Sequence, residues 1–207
     1  VKNFTVTFDD RNTLPLRDCP ELLDPARSLL GAAQERWLAE GWDTTAGRWN
    51  LVAQQTLMAR MNWNAGEPTY WTDGWDGYAP ARNRLLATVR ERKVPNVVVL
   101  GGDVHSHVVA DLKADFDDAD SPTVASEFCG SSISSWAGKQ SLDALRTLNP
   151  HLHYARNDQR GYMVFTLDAQ QGLRATVRSL DNALQPDSGI TTAARFVVAP
   201  GRPGVVT

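Results

Sequence analysis

The stretch 94–113, VPNVVVLGGDVHSHVVADLK, decides how this chain is read. Val97, Val98, Val99 and Leu100 form an apolar run without alternation, the pattern of a strand covered on both faces. Gly101, Gly102, Asp103, His105 and His107 follow at once, so the most coordinating residues stand at the end of the most hydrophobic strand. In open α/β sheets, ligands sit beyond the carboxyl ends of strands, where loops carry the polar groups. Asp103 and His105 are two apart, and on extended backbone their side chains point the same way and share a site. Asp offers a hard oxygen and His a neutral nitrogen, which suits a transition metal beside a harder cation. Gly101 and Gly102 remove bulk where a metal and substrate approach. Spacing alone also allows a plain strand-end turn, with Asp103 bonded to backbone and the histidines solvated.

Before this stretch, APARNRLLATVRERK reads as a helix with Pro80 near its start and Leu85, Leu86 and Val89 on the inner face. NWNAGEPTYWTDGWDGY reads as an aromatic, glycine-rich loop, and RWNLVAQQTLMARM as a buried strand running into a loop. DPARSLLGAAQERWLAEGW predicts a helix with Asp24 as N-cap, Pro25 at the first helical position and Leu30, Ala33 and Trp37 on one face. FTVTF alternates like a short strand, ahead of the proline- and acid-rich loop LPLRDCPELLDP. After the stretch, HVVADLKA and TVASEFC predict strands around the acidic turn DFDDADSP, and a short helix is expected at SLDALRTL. GYMVFTLD, LRATVRSLD and ARFVVAP make the end β-rich, with AQQG as a hairpin-like turn. An α/β first half and an antiparallel second half fit layered sheets flanked by helices.

The chain has 207 residues, 42% hydrophobic and 22% charged, the ordinary balance of a globular protein. Its net charge of −3 supplies no global field for nucleic acid, and no nucleic-acid partner is expected. No apolar run approaches the roughly 20 residues of a membrane span, and VKNFTVTFDDR lacks the charged and apolar regions of a signal peptide. Cys19 and Cys129 belong to no metal-spaced cluster; one bridge or two inert thiols are both open.

VVVLGGDVHSHVVADL resembles the C-terminal metal motif of the alkaline phosphatase D family of metallophosphoesterases. The likeness runs in order through DPARSLLGAAQERWL, RWNLVAQQTLMA, WDGYAPARNRLL, SEFCGSSISS, NPHLHYARNDQRGY and TTAARFVVAPGRPG, almost the whole chain. It implies an α/β fold, a two-sheet sandwich flanked by helices, of which residues 1–207 are the C-terminal half of a catalytic domain. It implies iron paired with calcium, other divalent metals remaining open, and hydrolysis of phosphate mono- or diesters by a metal-bridging hydroxide. Asp103 would bind on the calcium side and His105 would bind iron, with His107 outside the ligand pair. The family's cysteine ligand, GD-x-x-Y motif and acidic W-D-D/N-H-E segment have no counterpart here, so the resemblance implies a partner: the N-terminal half, as a separate chain or a lost fragment. It also implies a secreted or extracytoplasmic location. Some members resemble secreted phospholipases D, and Trp63, Tyr70, Trp71, Trp75 and Tyr78 would suit a lipid interface if exposed, or anchor their loop if buried. A non-catalytic fragment that binds a partner is the alternative of another class, and the intact Asp103 and His105 count against it.

Further candidates carry paired readings. His151 contacts substrate phosphate or caps a helix end, and Arg160 holds a phosphate oxygen or lies on the surface before a strand. Asp76 binds a second calcium or makes an Asp-Gly turn. Gln54 and Gln55 approach the second metal or are satisfied by backbone. Glu127 orients a ligand histidine or is an edge-strand charge.

Overall fold

The computed structural model describes residues 13–44, 48–136, 139 and 141–206; the expected strand FTVTF lies outside them. The valine run is β4 (Val97–Gly101), flanked in parallel by β2 (Asn50–Ala53) and β6 (Thr123–Cys129). β5 (His107–Lys113) pairs antiparallel with β6 and with β7 (Leu152–Arg156), completing a five-stranded mixed sheet in the order β2-β4-β6-β5-β7. The strand within NPHLHYARNDQRGY, now β7, carries no alternation that announces it. β8 (Gly161–Asp168), β9 (Gly172–Leu180) and β10 (Ile190–Val198) form an antiparallel three-stranded sheet in the order β10-β9-β8. A small ribbon pairs β1 (Thr13–Pro15) with β3 (Thr69–Trp71), inside the segment expected to be all loop.

Period-two alternation splits the valine run between two cores. Val97 and Val99 face the helical side, where they join Val108, Ala110 and Leu112 and, from the helix at Pro80, Leu85, Leu86 and Val89. Val98, Val109 and Phe128 face the small sheet and meet Leu173, Ala175, Val177, Phe196 and Val198. Phe128 meets Phe165 edge-to-face at 5.4 Å, and Tyr154 meets Phe196 at 5.8 Å, fastening the two sheets. Helix α2 (Ala79–Glu91) begins as the sequence predicts, with Pro80 in its first turn.

Helix α1 (Ala32–Thr44) does not begin at Asp24. Asp24 Oδ1 accepts the Ala26 N–H at 2.8 Å in a local turn, and Arg84 of α2 donates to the carbonyls of Pro25 (2.7 Å) and Arg27 (2.9 Å) that a helix would have used. Gly31, at φ 81°, turns the chain into the helix, and Ser28 Oγ accepts its N–H at 2.7 Å. Trp37 is 68% exposed, not on an inner face. The short helix expected at SLDALRTL is a 3₁₀ turn, Asp143–Leu148, and both cysteines are free thiols.

Phe128 is 1% exposed at the contact between the sheets. Phe128→Ala should lower unfolding free energy by about 3–5 kcal/mol in urea titration. A loss under about 1 kcal/mol would mean that the sheets do not depend on this contact.

Candidate active site

The parallel strands β2, β4 and β6 end at one edge of the large sheet, and β5 starts there. The loops after these strands therefore converge. Gly102 donates its N–H to the Gln55 carbonyl (3.0 Å), and Gly130 donates to the Gly101 carbonyl (2.9 Å). Gly101 must be glycine because a Cβ would strike the Thr56 carbonyl and the Gln54 amide, so it admits the loop after β2.

At this edge the backbone leaves the extended conformation. Asp103 has φ 68° and His105 φ 53°, both left-handed, and the Val104 N–H closes on the Gly102 carbonyl at 2.8 Å in a γ-turn around Asp103. Non-glycine residues in such conformations cost about 1–3 kcal/mol each and persist where the surroundings hold them. The extended backbone expected to align Asp103 and His105 is thus replaced by a bent one that carries both on one tight turn. Asp103 is exposed and His105 half-buried. His105 Nδ1 lies 2.8 Å from the Trp136 carbonyl, so it carries the proton and leaves Nε2 as an open lone pair. A carbonyl on the far nitrogen is the usual support of a metal-binding imidazole.

Beneath the turn, His107 is fully buried with its Nδ1 accepting the Ser131 N–H at 3.2 Å, while its Nε2 is buried without a partner. Burial pulls its pKa down to about 4, so the ring is neutral. Ser131 Oγ stands between the carbonyls of His105 (3.3 Å) and Gln159 (3.1 Å), and the Cys129 thiol donates to the Gly102 carbonyl at 3.2 Å. Gln55 is exposed beside Gly102; Gln54 is spent on the Thr56 backbone and the Trp75 indole. Arg160 lies at the same end: it lines a cleft with Trp136, whose carbonyl holds His105.

Three other candidates lie elsewhere. His151 is placed by the pairing of Ala110 with Leu152 beside Asp111, four residues along β5 from His107, or roughly 13 Å at the rise of a strand. Its Nε2 donates to the Arg60 carbonyl at 2.7 Å, its ring meets Phe116 at 4.9 Å, and burial holds its pKa at about 4. Asp76 does not stand in an open turn. It is buried, pairs with Arg82 at 2.5 Å and accepts the Met61 N–H at 3.0 Å. Glu127 touches no histidine at the turn: its two oxygens accept the N–H groups of Met58 and Ala59, each at 2.7 Å, and burial raises its pKa to about 7. In the aromatic loop, Tyr70 and Trp75 are buried and Trp63, Trp71 and Tyr78 half-buried, so these rings anchor the loop.

A metal would find only part of a donor set at the turn. His105 Nε2 and the Asp103 carboxylate fit as ligands, yet among the described residues no three His, Cys, Asp or Glu side chains converge. Fold and site together define a two-sheet α/β sandwich whose polar turn stands at the carboxyl ends of parallel strands. The sequence model of the PhoD-like phosphatase family matches residues 5–176, and the chain belongs to that family. It is 34% identical over 190 residues to alkaline phosphatase D of Bacillus subtilis (strain 168), covering 89% of this chain and 32% of that relative. A solved structure described as the structure of PhoD superposes with a TM-score of 0.84 at 34% identity, covering 94% of this chain and 37% of that one. The chain thus spans about a third of these relatives.

Because His151 is neutral when folded and its pKa is lowered, the unfolded chain binds more protons between about pH 4 and 6.5, and His151 makes stability rise with pH across that window. His151→Phe should remove this part of the pH dependence while costing about 1 kcal/mol for the lost bond to Arg60. Urea titrations from pH 4 to 7 check it; an unchanged slope would mean that His151 is not held neutral.

Proposed function

We propose that this chain supplies one part of the metal-holding site of a phosphoesterase that hydrolyses phosphate mono- or diesters. The observation that carries the reading is the strained Gly102–Ser106 turn in a member of a phosphatase family, with the His105 ring held by the Trp136 carbonyl and Nε2 left open. His105 would hold iron through Nε2 and Asp103 would reach calcium with its carboxylate. When bound, the metals would supply Lewis acidity, acidifying water and neutralising charge on the phosphoryl oxygens. This chain's own part is orientation. Trp136 fixes the His105 tautomer, Ser131 braces the turn, and the exposed Asp103 leaves room for the ester.

The remaining ligands would come from another segment of the same protein, and the exposed apolar surface on one side of the sandwich supports that reading. Leu51 of β2 pairs with Val98 and shares its face between the sheets, yet is 51% exposed. Phe165 and Leu167 share the inward face of Met163 on β8 and are 36% and 47% exposed. Among the described residues β2 and β8 are both edge strands, so there the space between the sheets opens on their side. Unpaired edges and uncovered apolar faces suit strand addition to both sheets.

In the protein that contains the remaining segments, His105→Ala should lose one metal equivalent and more than about 100-fold in hydrolysis of a soluble phosphodiester. Asp103→Asn keeps a residue that tolerates the left-handed turn and removes only the charge, so it should lose metal with little change in melting temperature. Full metal content and activity in both variants would remove the turn from the reaction. A double Leu51→Asp, Leu167→Asp variant should abolish co-elution with the separately produced remainder; undiminished co-elution would place the docking face elsewhere.

A further inference from the structure

A cleft of about 190 Å³ opens at the same end of the sandwich as the Asp103–His105 turn. It is lined by Ser134, Trp136, Gln159, Arg160, Leu180 and Leu184 among others, and its link to the turn is direct because Trp136 holds His105 Nδ1. The three most exposed large apolar side chains among the described residues gather here: Trp136 and Leu184, each 78% exposed, line the cleft, and Ile133, at 74%, shares the Trp136 loop. Apolar side chains left this open mark an interaction surface or a ligand groove, and the enclosed polar lining beside them favours the groove.

The cleft's charge is equally particular. Asp158 is neutralised by Arg156, whose Nε and Nη2 reach its two oxygens at 2.7 and 2.5 Å. Asp181 is exposed on the lining. Arg160 stands over the Trp136 ring at 5.9 Å and uses only Nη1, on the carbonyls of Asn157 and Gln159. Its Nε and Nη2 have no protein acceptor among the described residues. An unspent guanidinium edge matches a phosphoryl oxygen pair. The neighbouring indole and leucine match carbon, not hydroxyl.

We propose that this cleft is the subsite for the organic group of the ester, with Arg160 on the non-bridging phosphoryl oxygens and Trp136 and Leu184 selecting an apolar alcohol. The proposal rests on the reading of Asp103 and His105 as the phosphoesterase site. It does not involve the aromatic loop at 63–78, whose rings are buried or half-buried.

The test compares octyl phosphate, kept monomeric below its aggregation concentration, with glycerol phosphate as substrates of the protein that contains the remaining segments. The intact protein should favour the octyl ester in kcat/KM, and the double variant Trp136→Ala, Leu184→Ser should lower the octyl-to-glycerol ratio about tenfold or more. Arg160→Gln should raise KM for both esters. Binding of octyl phosphonate, followed by tryptophan fluorescence, needs no turnover and separates the two readings. Binding that weakens in the double variant, in a protein that hydrolyses neither ester, would keep the subsite and overturn the hydrolytic reading. Hydrolysis of both esters with an unchanged ratio would overturn the subsite alone. So would an effect confined to vesicles, since the rim would then anchor a membrane rather than hold an alcohol. Melting temperatures within a few degrees of the parent confirm that each variant is folded.

Discussion

A single buried carboxyl organises the helical side of this fold. Glu127 lies in the middle of β6, fully buried, and its oxygens take the amides of Met58 and Ala59. Nearby, Arg82 of α2 donates to the Met58 carbonyl (3.2 Å) and to Asp76, whose other oxygen takes the Met61 amide. Three charged side chains thus hold segment 58–61 between the sheet and α2, where regular pairing does not reach. Burial raises the pKa of Asp76 and takes that of Glu127 to about 7, so Arg82 and the backbone donors are what make the arrangement tolerable. Removing one partner from such a set costs about 3–5 kcal/mol, because the charge left behind has no solvent to turn to.

The functional end inherits its shape from this clamp. With segment 58–61 fixed, the preceding Gln54–Thr56 loop lies against Gly101 and Gly102, and the Gly102 amide is drawn to Gln55. β4 therefore ends where two glycines let a neighbouring backbone approach closely. The chain then bends through two left-handed residues before β5 begins. The strain at Asp103 and His105 is held from below by Ser131 and from the side by Trp136. Both supports belong to the loop after β6, so three strands cooperate to place one turn.

The valine run, the helix at Pro80 and the antiparallel ending were legible because each is dictated by local periodicity. The place of Asp103 and His105 at the carboxyl end of β4 was legible for the same reason. The bent turn was not, since a left-handed aspartate and histidine have no sequence signature without a glycine or asparagine. Helix α1 was misplaced at its start because Asp24 and Pro25 are sound start signals that lose to Arg84, whose 57- and 59-residue separation from its acceptors no local window includes. Glu127 looked like an edge charge or an orienting acid; its partners stand 68 and 69 residues away.

The sequence by itself determined the valine strand, the helix at Pro80 and the antiparallel ending, that the chain resembles one phosphatase family, and which pair of residues heads its polar turn. Only the tertiary structure decided that His151, Asp76 and Glu127 pair with Arg60, Arg82 and the 58–59 backbone, and that Arg160 shares a cleft with Trp136, whose carbonyl holds His105. The reason is physical: periodicity and turn chemistry act within a few residues, whereas burial and pairing depend on what distant strands bring alongside. A histidine held neutral against Phe116 and a histidine offering Nε2 at a strand end are the same residue until the fold gives them different neighbours.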